Sequence, residues 1–345
     1  MRHSAVVLAI AAGLAAAVPA RASLTFSTFV TSSDINAAEG QNSVIGFNYA
    51  GNMFIGSLYY GTNNNQLYET NLVGTGVQLY GQPVPGASGE VVVGAGLGKG
   101  GFAAGAVYSG SQASGQIYFV PSSGAPVLFA TVPAGDVRQI FFDPGSSFGG
   151  NMLVTTNVGD IYKISSTGSV SLLASVGEDT EGMDIAPAGW GALAGQLLVS
   201  SEGSGTIRAI SPLGAVTTVA SGVPEAETVS AVPTAFSAGG PPTQGFYVAN
   251  YPDDIQTADY TQFTPYEGDV IVTSEFGSNS PVWLLTYSGG TVTVDGTPIG
   301  YLPAQSEDGI FVSGQRVSDL VPEPASLTIL GVGLAALGLR RRRRG

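Results

Sequence analysis

The chain contains no cysteine, and its single histidine is His3, at the extreme N-terminus. Without thiols there can be no disulfide and no thiolate metal site. If the first residues are removed on export, imidazole chemistry goes with them. A Ser-His-Asp triad, a Cys-His pair, a histidine-held zinc and a cysteine-held cluster are then all excluded within the chain. Positive charge is also scarce, with 12 Lys and Arg against 25 Asp and Glu, and charged residues make up only 11% of the 345 positions. What is abundant is glycine, at 50 residues, beside 20 prolines and a hydrophobic fraction of 44%. Such a chain can bury a large core without disulfides. Its many turn formers weigh against long helices.

Long apolar runs occur only at the two ends. Met1 to Ala22 opens with Arg2, continues through apolar Ala5 to Val18 and closes on Ala20-Arg21-Ala22 before Ser23. A positive start, a short apolar stretch and an A-x-A ending are the pattern of a secretory signal peptide, with signal peptidase expected to cut between Ala22 and Ser23. At the other end Val321-Pro322-Glu323-Pro324 precedes an apolar run, 325–339, and then five arginines, Arg340 to Arg344. The prolines keep their neighbours extended and open to a processing enzyme. Fifteen residues make a helix of about 22 Å, short of a hydrocarbon core of about 30 Å. Residues 325–339 are therefore expected to hold the inner membrane only transiently, with the arginines on the cytoplasmic side.

A Pro-Glu-Pro triplet, a short apolar helix and a terminal arginine cluster, in that order, resemble the PEP-CTERM sorting signal over residues 321–345. The resemblance implies that an exosortase, a membrane protease/transpeptidase, acts near Pro322, Glu323 and Pro324. It also implies a Gram-negative bacterium that makes exopolysaccharide and exports the protein to its envelope, outer surface or surroundings.

Between the tails, residues 23–320 show no convincing helical period. Short runs of Val, Ile, Tyr, Phe and Thr alternate with Gly, Ser, Asn and Pro, which is an all-β pattern. Gly115-Gln116-Ile117-Tyr118, Gly159-Asp160-Ile161-Tyr162 and Gly205-Thr206-Ile207-Arg208 recur at offsets of 44 and 46. Each copy lies between one upstream and one downstream strand, and looser copies occur near Phe54 and Val282. Four strands per roughly 45 residues predict a β-propeller of five or six blades, with a sandwich pair or a solenoid as the other architectures open to this spacing. Residues 223–267, rich in proline and aromatics, read as an irregular blade or insertion. Ile310 to Val312 is expected to pair with N-terminal strands and close the ring.

No catalytic or cofactor-binding residue can be singled out. The densest carboxylates, Glu178, Asp179, Glu181 and Asp184, supply the oxygens that Ca²⁺ takes, yet they follow neither the EF-hand nor the nonapeptide calcium pattern. Glu39, Glu181 and Glu307 begin comparable strands, as would suit a propeller that holds a metal in its channel. Tyr247, Tyr251, Tyr260, Phe263 and Tyr266 beside Asp253, Asp254 and Asp259 could stack on sugar rings, or pack down on the blade. Between Ser23 and Leu320 there are 24 acidic and five basic residues, so nucleic acid would be repelled. The expectation is a non-enzymatic structural or interaction module whose partners are exopolysaccharide or other envelope proteins. The alternative is a Ca²⁺-dependent propeller hydrolase or lactonase.

Overall fold

The structure, a computed structural model, describes residues 23–60, 65–236 and 242–320. In chain order, β1 (Ser27–Val30) and α1 (Ser32–Glu39) precede β2 (Val44–Tyr49), β3 (Phe54–Tyr60), β4 (Leu67–Thr70) and β5 (Gln78–Tyr80). Next come β6 (Gly89–Ala95), β7 (Val107–Ser111), β8 (Ser114–Val120) and β9 (Val127–Thr131). The third set is β10 (Val137–Phe142), β11 (Met152–Thr156), β12 (Asp160–Ile164) and β13 (Val170–Ser175). The fourth is β14 (Met183–Ile185), β15 (Leu197–Ser201), β16 (Thr206–Ile210) and β17 (Val216–Ser221). The remainder is β18 (Ala226–Ala231), β19 (Gly245–Tyr251), β20 (Asp254–Asp259), β21 (Val270–Ser274), β22 (Ser280–Ser288), β23 (Thr291–Val294), β24 (Gly300–Leu302), β25 (Gln305–Val312) and α2 (Gly314–Leu320).

Pairing sorts these strands into four separate sheets and one eight-stranded sheet. The large sheet is two four-stranded units, β2 to β5 and β6 to β9, joined where Tyr59 and Tyr60 of β3 meet Glu90 and Gly89 of β6. Six blades result. Their innermost strands pack in the order β2, β6, β10, β14, β18, β25 and back to β2, so the ring is closed around a channel. The arrangement is propeller-like, as the repeat spacing predicts. Ile117, Ile161 and Ile207, the residues that set that spacing, occupy equivalent places on the third strands of three blades, and each is fully buried. The apolar clusters lie largely between neighbouring blades. This explains why second strands such as β11 and β15 are buried along their whole length instead of alternating.

The closing blade differs from expectation. Residues 223–267 are not one irregular blade: β18 is the inner strand of the fifth blade, whereas β19 and β20 cross into the sixth. β25 pairs with β19, and β1 pairs with β20. The two ends of the described chain therefore share a sheet with the inserted hairpin between them, instead of pairing directly. The physical gain is the same, because neither β19 nor β20 is left with an open edge.

Two short α-helices lie between residues 23 and 320, where the sequence shows no helical period. α1 is fixed by local capping: the Thr31 hydroxyl accepts from the Asp34 amide, and Gly40 closes the helix in the left-handed region at φ 78°. At eight residues it is too short to register as a helical period. α2 follows β25 and sets the buried Leu320 against Gly51. Among the described residues no helix is long and apolar enough to cross a membrane. The leader, 1–22, and the tail segments 325–339 and 340–344 lie outside the described residues.

Candidate functional site

Each of the six inner strands starts at the same end of the channel. There a cavity of about 20 Å³ is lined by Glu90, Arg138, Glu181, Glu227, Glu307 and their neighbours. Glu181, Glu227 and Glu307 are each less than 9% exposed. Arg138 is the cation of this group. It donates from Nη1 to Glu90 at 2.7 Å and from Nε to Asp179 at 3.1 Å, and it stands 3.3 Å from Glu181 Oε1. On the far side of the mouth, Gln305 Nε2 donates to Glu307 at 2.8 Å and also to Glu275. No hydrogen-bond donor or cation among the described residues reaches the Glu227 carboxylate.

Glu90, Asp179 and Glu181 thus share one guanidinium, which Glu227 and Glu307 of the same cavity do not reach. Burial first, and then mutual repulsion, pushes the Glu227 and Glu307 carboxyls well above the usual carboxylate range. Burial does the same to Glu181, where Arg138 opposes it. Glu275 is driven to about 8 by burial and by its neighbour Glu202. Glu90 rises through burial in spite of Arg138.

The channel has a waist. Gln139 Nε2 donates to Asp308 Oδ1 at 3.2 Å, and this pair lines both the small cavity and a second one of about 170 Å³ at the other end. Asp184, Asp308 and Arg316 meet there. Arg316 of α2 donates to Asn48 Oδ1 at 2.9 Å, and burial pulls its pKa down to about 10. Asp184 accepts from the Ile185 and Ala231 amides, and burial raises it to about 6. Lys99 anchors the end of α2 through Asp319 at 2.9 Å.

The four carboxylates singled out in the sequence are consequently dispersed. Glu178 is paired with Arg208 and accepts from Ser204 at 2.9 Å. Asp179 is held by Arg138, Glu181 enters the ring, and Asp184 sits at the opposite end. Glu181 and Glu307 are together, as the comparison of strand starts implies, but Glu39 ends α1 and does not line the channel. Glu90 and Glu227 escaped notice because neither is followed within two residues by a glycine, as Glu39, Glu181 and Glu307 are. Of the five aromatics singled out in 223–267, Tyr247, Phe263 and Tyr266 are fully buried. Tyr247 packs on Phe29 at 4.7 Å and Phe54 at 4.8 Å instead of offering a sugar platform.

Four residues after Arg316 a recognisable segment begins: residues 320–343 match the family model described as the PEP-CTERM protein-sorting motif. The tail is a PEP-CTERM sorting motif. It begins on Leu320, the residue at which α2 ends against the ring. No curated protein matches the chain. Among solved structures, a streptogramin B lyase is similar at 10% identity and TM-score 0.47, covering 80% of this chain and 74% of that one. A nidogen/laminin complex is similar at 12% and 0.48, covering 77% and 87%. A protein of unknown function from Bacteroides thetaiotaomicron VPI-5482 is similar at 10% and 0.47, covering 78% and 63%. What those proteins do stays theirs.

Proposed function

We propose that the protein is exported through Met1 to Ala22, cut by signal peptidase before Ser23, and processed by an exosortase at Pro322-Glu323-Pro324. In this reading the propeller acts at the cell surface or in the extracellular matrix as a structural or interaction module and carries out no reaction of its own. The observation that carries the reading is the PEP-CTERM tail, which starts at Leu320, after β25 has closed the ring at Val312. Residues 325–339 and 340–344 then serve as the transient inner-membrane hold. A strongly acidic ectodomain suits contact with an exopolysaccharide or other envelope proteins through bridging cations.

The test is sorting. In a host with an exosortase, Glu323→Ala or deletion of residues 327–344 is expected to shift the protein between membrane, envelope and medium fractions while its melting transition is kept. Wild-type distribution of both variants would contradict the proposal. The acidic channel mouth favours one second reading, a metal-dependent propeller hydrolase or lactonase. That reading requires turnover that metal restores and Glu181→Gln removes.

A further inference from the structure

We propose that the cavity of about 170 Å³ at the α2 end of the channel is a binding site for one neutral, polyhydroxylated ligand the size of a single sugar ring, held by Arg316 of α2 and by Asp184 and Asp308 of the inner strands. This goes beyond sorting and does not depend on it. The cavity opens to solvent, since the exposed Pro144 and Gln315 line it together with the buried Phe142 and Phe311. At about 30 Å³ for each water of the liquid, it has room for about five waters, or for one ring with its hydroxyls. Its polar side chains converge from separate parts of the chain: Gln139 from β10, Asp184 from β14, Asp308 from β25 and Arg316 from α2.

The charged groups select the ligand. Arg316 feels Asp184, Asp308 and Asp319 through space, yet among the described residues it forms no ion pair with any of them. Asp319 is taken by Lys99 at 2.9 Å. The guanidinium places only Nη2 on a side-chain acceptor, Asn48 Oδ1 at 2.9 Å, and its Nε is buried without one. Nη1 is left to donate to a ligand. Asp184 accepts from the Ile185 and Ala231 amides, and Asp308 from the Gln139 side chain and the Phe47 amide. Each carboxylate oxygen keeps a further lone pair, which a ligand hydroxyl can fill. An anion would meet two carboxylates. A cation would meet Arg316, with the carboxylate oxygens already engaged. A hydroxyl suits both sides, because it accepts from the guanidinium and donates to a carboxylate. Burial raises Asp184 to about 6 and Asp308 to about 7, so hydroxyl donors would replace solvation that both have lost. Phe142, Met183 and Phe311 supply an apolar wall for the C–H face of such a ring.

The experiment is titration of the purified full-length protein, in a detergent without a sugar head group, with glucose, galactose, mannose and myo-inositol, read by ligand-observed NMR and by thermal melting. At least one of the four is expected to bind saturably with a Kd of about 1 mM or below and to raise the melting temperature, as binding to the folded state must. Asp308→Asn and Arg316→Gln should each weaken that binding by about tenfold or more, the loss of one hydrogen bond to a charged group. Where Arg316→Gln loses its melting transition, Asp308→Asn decides. Glu178→Gln, paired with Arg208 away from the cavity, should bind as wild type does. Glucuronate, the same ring with a negative charge added, should bind more weakly than glucose. No saturable binding of any of the four, undiminished binding in Asp308→Asn, or tighter binding of glucuronate than of glucose overturns the proposal.

Discussion

Arg138 is the residue on which the electrostatics of the channel mouth turn. Its side chain is 16% exposed and its guanidinium meets Glu90, Asp179 and Glu181. Removing one partner of a buried pair leaves the others uncompensated, which costs more than the pair itself contributes. Arg138→Met should therefore destabilise the protein by about 3 kcal/mol at pH 8 in chelator, measured by denaturant unfolding. Of the carboxylates left behind, Glu90 and Glu181 are held above the usual carboxylate range by burial. Their contribution is greatest below about 4.5 and is lost as pH rises through their raised folded-state values. The deficit of the variant should accordingly shrink at pH 5, and an equal deficit at both pH values would contradict this account. Asp184 obeys the same sign in a lower window, between 3.8 and about 6.

At the scale of the element, the inner strands explain both what could be read in advance and what could not. Third strands were legible because Ile117, Ile161 and Ile207 repeat one environment, a fully buried position beside a glycine turn. Inner strands were harder, because packing around a narrow axis favours small or special residues over a common pattern. Gly182 shows why. A Cβ there would stand 2.5 Å from the Val229 amide nitrogen and 2.6 Å from Thr228 Cα, backbone that cannot yield. Gly182→Ala is expected to cost about 2–3 kcal/mol through overpacking. Gly189→Ala, with nothing within 4 Å of the added atom, should stay within about 0.5 kcal/mol of wild type. Equal melting temperatures for the two variants would refute the close approach of β14 and β18. The β19–β20 crossing was not legible at all, since which blade a hairpin joins is a non-local choice that strand periodicity does not encode.

For the whole molecule, the two halves of the account rest on different signals. The sorting tail was readable from order alone, because Pro-Glu-Pro, an apolar run and arginines are contiguous in the chain. The acidic ring was not, because Glu90, Glu181, Glu227 and Glu307 are brought together only by closure of the ring. The last described element, α2, ends at Leu320, and the motif for processing starts there. This order lets the tail be removed without loss of a strand. The most direct measurement is the intact mass, with both terminal peptides, of the protein recovered from the surface or medium of a host with an active exosortase. The account predicts a mature chain that begins at Ser23, retains α2, ends near Pro322 to Pro324 and lacks Arg340 to Arg344. Recovery of a surface protein that still carries the arginine cluster would contradict it.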